Sequence, residues 1–109
     1  MALDSFGFIF TGRGMDPATD RAVIERDGFR TLVVAVPEPA GALAVAAAMV
    51  EEGVQLIELC GGFGPLWTAK VIEAVEGKVP VGSVGYGPEA IDQMAALFPP
   101  AAATAADGT

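Results

Sequence analysis

Four short apolar runs, at residues 6–10 (FGFIF), 31–36 (TLVVAV), 54–59 (VQLIEL) and 81–84 (VGSV), recur along the chain with longer segments between them. Apolar residues dominate each run with little alternation. A strand of that kind is buried on both faces, which is the mark of a parallel sheet covered by helices. The segments between the runs open near Pro17, Pro37 or Pro39, Pro65 and Pro88, and they close at Gly28, Gly53, Gly77 and Pro99-Pro100. Proline suits a first helical turn, where its missing N–H has no partner to lose, and glycine takes the left-handed conformation that ends a helix. The pattern predicts an α/β chain of four strand-then-helix units with a parallel four-stranded sheet.

Two of the helical segments carry an apolar stripe. Thr68, Val71, Ile72 and Val75 lie opposite Lys70, Glu73 and Glu76, and Ile91, Met94, Ala95 and Phe98 repeat the same spacing. The second helical segment, 41–50 (GALAVAAAMV), has no charge on any face, so burial on every side is expected and a subunit interface with it. The domain is expected over residues 1–98. Residues 99–109 (PPAAATAADGT) read as a low-complexity, disordered tail.

Right-handed crossovers leave two arrangements of four βα units. One is a flavodoxin-like open sheet in the strand order 2-1-3-4 with helices on both faces. The other is half of a β/α barrel, with helices on one face only and a partner subunit needed to cover the other.

Composition narrows the function classes. A chain of 109 residues suits one domain, and 52% apolar against 18% charged residues leaves few charges to clothe a monomer, so a homo-oligomer is expected. Fourteen acidic and six scattered basic residues give a net charge of −8, which argues against a nucleic-acid partner or an anionic membrane surface. Neither a secretion leader nor a run of about 20 apolar residues stands in the sequence, and a cytoplasmic protein is expected. The chain has no histidine and a single cysteine, Cys60. Histidine-based triads, zinc sites and an internal disulfide are thereby excluded, and neither a metal nor a cofactor is expected.

Ligands of either candidate fold bind at the carboxyl ends of the strands, and the glycines gather there. Gly12, Arg13 and Gly14 follow the first run, Gly61, Gly62 and Gly64 the third, and Ser83, Gly85, Tyr86 and Gly87 lie at or just beyond the end of the fourth. Backbone N–H groups bared by glycine beside a helix N-terminus suit a small anionic ligand, with Arg13 as its counter-charge. The competing explanation is that short strand-to-helix turns simply need glycine. No ATP-binding loop or dinucleotide fingerprint is present.

Glu58 interrupts an apolar run, and a carboxylate there must be paired, protonated or open to a cleft. Period-two alternation places it on the same side as Cys60. A general base with a thiol beside it is one reading; a structural ion pair to Arg13 or Arg30, with Cys60 as a small apolar residue, is the other.

The string ELCGGFG at 58–64, with FIF at 8–10, Asp16-Pro17, RAVI at 21–24 and KVPVG at 78–82, resembles a family of short bacterial proteins classed as a domain of unknown function. The resemblance implies a stand-alone bacterial domain and brings no catalytic residue with it. Three functions remain open at this point. They are binding of a small anionic metabolite at the glycine loops, a cofactor-independent isomerase, lyase or hydrolase using Glu58 and Cys60, and a structural or interaction module.

Overall fold

The computed structural model describes residues 2–100. Five strands form one sheet: β1 (Ser5–Thr11), β2 (Arg21–Arg26), β3 (Phe29–Val36), β4 (Ile57–Leu59) and β5 (Val81–Ser83), in the order β2-β3-β1-β4-β5. The helices are α1 (Ala42–Glu51), α2 (Gly64–Ala74) and α3 (Ile91–Leu97), with short 3-10 turns at Pro39–Gly41 and Pro88–Ala90. Every expected strand is present, and their order is the 2-1-3-4 of the open sheet. The half barrel is ruled out, because β1 pairs in parallel with both β3 and β4 and so lies inside the sheet.

The first expected helix does not form. Residues 21–26 are an antiparallel edge strand paired with β3, with Arg21 opposite Val34 and Arg26 opposite Phe29. The cause is the turn: Asp27 and Gly28 both have positive φ, 53° and 82°, as a two-residue type I′ hairpin requires. Gly28 closes a hairpin here, although the same residue type closes helices elsewhere in the chain. Asp16 caps the turn that follows it, with no helix behind it. Its carboxylate accepts the Ala18 N–H at 2.9 Å, and Asp20 returns the contact by accepting the Asp16 N–H at 2.7 Å.

The other helices end as their glycines predict. After α1, the Val54 N–H reaches the Met49 carbonyl and the Gly53 N–H the Val50 carbonyl, with Gly53 at φ 95°. This pair of bonds satisfies carbonyls that the helix end would orphan. After α2 the same pair runs from Gly77 to Ile72 and from Glu76 to Glu73, but the left-handed residue C-terminal to the cap is Glu76 itself, at φ 58°.

The core lies on one side of the sheet. Gly7, Ile9, Leu32, Val34, Val36, Ile57 and Leu59 face α1 and α2, which pack against each other and contribute Ala42, Ala46, Met49 and Val71. Both crossovers, β3 to β4 and β4 to β5, advance in the same direction, and right-handed connections therefore put both helices on one face. Glycine at position 7 lets α1 come close: a Cβ there would fall 2.5 Å from Met49 Sδ. Helix α1 is not buried all round. Its buried stripe is Ala42, Ala46 and Met49, and the exposed positions are Ala44, Ala48 and Glu51. Within the expected tail, residues 101–109 lie outside the described residues.

Candidate functional site

The carboxyl ends of β1 and β4 and the loop after β5 bound a cavity of about 680 Å3. Thr11, Cys60, Gly61 and Gly62 form its floor, Tyr86 one side, and Met94, Ala95 and Leu97 of α3, with Phe98 just beyond it, its far wall. An adjoining cavity of about 510 Å3 shares Gly61, Tyr86 and Met94 and adds Gly64, Ser83, Gly85 and Gly87. Seven of the expected ligand-binding residues, Gly61, Gly62, Gly64, Ser83, Gly85, Tyr86 and Gly87, thus surround one continuous region.

The floor is built by close approach. The Cys60 N–H donates to the Ile9 carbonyl, and the Thr11 N–H donates to Cys60 Sγ at 3.4 Å, with Thr11 Oγ1 at 3.7 Å from the same sulfur. A Cβ on Gly62 would stand 2.7 Å from Thr11 Oγ1, so any larger residue there would have to displace the hydroxyl. Gly64 opens α2 at φ 70°, a conformation glycine adopts without strain. The Phe63 N–H is taken by the Cys60 carbonyl. The N–H groups of Gly61 and Gly62 donate no hydrogen bond among the described residues.

The region is therefore mostly apolar with one polar corner. Thr11 offers a hydroxyl, Cys60 a half-buried thiol, and Gly61 and Gly62 two backbone donors. Arg13 does not join them. It lies exposed in the turn closed by the Met15 N–H and the Gly12 carbonyl, and neither it nor Gly12 or Gly14 lines either cavity. The counter-charge expected from Arg13 is absent from this corner, because residues after β1 lead away toward the hairpin instead of into a helix over the site.

Glu58 and Cys60 do not share a cavity. Alternation holds within β4, where Ile57 and Leu59 are buried and Glu58 is exposed on the opposite face. The strand ends at Leu59, and Cys60 turns toward Thr11 on the helix side. Glu58 instead borders a separate hollow of about 210 Å3 with Gly82, Ser83 and Val84. No ion pair to Arg13 or Arg30 forms: Arg30 lies 3.8 Å from Glu52.

Sequence reasoning missed Thr11 and the α3 wall. The stripe containing Met94 and Phe98 is legible as an apolar face, but helical spacing does not distinguish a face that fills a core from one that walls a cavity. Here it walls one: no α3 residue is buried, and Phe98 is 70% exposed.

The model of a family described as a family of unknown function, DUF6506, matches residues 4–99. The chain belongs to DUF6506. Within this DUF6506 chain the matched stretch runs from the approach to β1 through the end of α3, so it includes the floor and the far wall of the cavity. No curated protein and no solved structure matches the chain.

Proposed function

We propose that this protein binds a small molecule in the cavity between the Cys60-Gly61-Gly62 turn and α3. The observation that carries the reading is the pairing of two undonated backbone N–H groups with an apolar wall. Ligand pockets commonly combine an apolar lining with a few polar groups that fix orientation. The ligand this suits has an apolar body and one acceptor group, a carboxylate or a carbonyl, lodged at Gly61 and Gly62. A carboxylate satisfies the anionic character expected from the glycine loops, held by amides and the start of α2 in place of Arg13. The chain's sparse charge supports the further reading that it acts as a homo-oligomer.

Native mass spectrometry of protein purified from its own cells, compared with its denatured mass, tests the binding. The expected result is a retained small molecule that a Met94→Trp variant no longer carries, since Met94 lines both cavities and the larger indole occupies space that they share. Binding at this site is overturned if the native mass equals the bare chain and a panel of aliphatic and aromatic carboxylates moves no amide resonance at Gly61, Gly62 or Tyr86.

A further inference from the structure

Helix α3 is attached to the domain differently from α1 and α2. Those two bury residues between the sheet and each other. No residue of α3 is buried, and its only substantial packing against another element is with the 3-10 turn at Pro88–Ala90 that leads into it. The last backbone tie to the sheet runs from the Val84 N–H to the Leu59 carbonyl, 3.0 Å away. Beyond it, among the described residues, no hydrogen bond or ion pair joins 85–98 to the rest of the chain. An element with few buried contacts and no bonds to its neighbours opens at little cost.

The connection from β5 is free to bend. Gly85 and Gly87 flank Tyr86, and neither the conformation nor the space they occupy calls for glycine. Both lie outside the left-handed region, and a Cβ on Gly85 would meet nothing within 4 Å. On Gly87 it would meet only the movable carboxylate of Glu89. What glycine supplies at such positions is backbone freedom. Between them the Tyr86 ring rests on Gly61, where a Cβ would fall 2.9 Å from Cε2, so the bend is anchored at the floor of the cavity.

The apolar stripe of α3 borders the cavity without filling it. Met94, Ala95 and Leu97, with Phe98, stand across from Thr11, Cys60, Gly61 and Gly62, yet Leu97 is 71% exposed and Phe98 70%. A short amphipathic helix draws its stability in water from burying such a stripe.

We propose that α3 is a lid, hinged at Gly85-Tyr86-Gly87, that closes over the molecule held at Gly61 and Gly62. The proposal rests on the small-molecule reading above and adds how the molecule enters and is kept. With α3 swung out, the floor is open and the ligand passes. With α3 down, Leu97 and Phe98 bury against the apolar body of the ligand. Water is then excluded from the two amides, which strengthens their bonds to its acceptor group. The ligand supplies the packing that α3 otherwise lacks, so closure and binding favour each other.

The test uses the chain's single cysteine. Leu97→Cys places a thiol on the lid across the cavity from Cys60, and a disulfide between them needs Cα atoms within about 7 Å of each other. The full-length variant is oxidised with diamide and followed by native mass spectrometry, which separates the bare chain from the chain carrying its molecule. The expected result is an intramolecular disulfide, seen as the loss of two hydrogens, in the bare chain and not in the loaded one, where the molecule lies between the thiols. Adding Gly85→Val, whose Cβ has room, should slow the disulfide about fivefold to tenfold, because the hinge loses backbone freedom. Gln93→Cys, at an exposed position of α3 that lines neither cavity, should form none. No disulfide in Leu97→Cys, equal formation in Gln93→Cys, or a rate indifferent to Gly85→Val overturns the lid and leaves the binding reading standing. Absence of any loaded chain in the unaltered protein overturns the binding reading, and the lid falls with it even where the disulfide forms.

Discussion

At the scale of single residues, two positions show how backbone and packing constrain the chain. Glu76 holds a left-handed conformation that glycine adopts freely and that costs other residues about 1 kcal/mol or more. Its ion pair with Lys78, 3.2 Å long, joins side chains 72% and 63% exposed, and pairs so exposed add little. Glu76→Gly is accordingly expected to stabilise the protein by up to about 1 kcal/mol, an upward shift of several degrees in a thermal melt. Gly7 illustrates the reverse case. Gly7→Ala drives a methyl group into Met49 and is expected to cost about 1–3 kcal/mol in urea unfolding. Because the contact is mutual, Met49→Ala, which removes a fully buried side chain at a cost of about 2–5 kcal/mol, should cost less on the Gly7→Ala background than alone. A cycle showing strict additivity would mean that the two side chains do not meet.

At the scale of elements, the β2–β3 hairpin departs most from the sequence reading. Residues 17–28 open with proline, close with glycine and carry apolar residues at several spacings, a pattern compatible with a helix. What decides the matter is the Asp27-Gly28 pair, whose two positive φ values match the twist of a hairpin. The pair is a strong hairpin signal in its own right, and the expectation gave more weight to the proline upstream. Gly28→Val places a β-branched residue at φ 82°, and the strain should loosen β2 ahead of the rest of the sheet. Hydrogen exchange is expected to show the amides of 21–26 that bond to β3 losing protection while those of β1 keep theirs. Equal loss in both strands would mean that the sheet opens as one unit. The helices were easier to read, since α1 and α2 end in the bonds that their glycines announce.

At the scale of the whole molecule, one core on one side of the sheet carries the stability. Ile9 is fully buried at its centre, and Ile9→Ala is expected to cost about 2–5 kcal/mol, a large part of the roughly 5–15 kcal/mol that holds a domain together. If the chain self-associates as proposed, the melting temperature rises with protein concentration, because association draws on the folded state alone. The cavity also belongs to this scale: its floor comes from β1 and β4, its side from the loop after β5 and its far wall from α3, so no local stretch of chain contains it.

The sequence by itself determined the class of the chain, its four parallel strands, the ends of two helices and the edge of the sheet where a site would sit. These follow from local physics: apolar runs make buried strands, and proline and glycine restrict the backbone wherever they occur. Only the tertiary structure decided the strand order, the absence of a helix between β1 and β3, the separation of Glu58 from Cys60 and the placing of Arg13 outside the cavity. Each depends on which residues distant in the chain come together. Alternation assigned Glu58 and Cys60 to one side only as far as the strand continued, and where β4 stops is set by pairing with β1 and β5. Both faces of the sheet are apolar in sequence, and it is the direction of the crossovers that covered one and left the other bare.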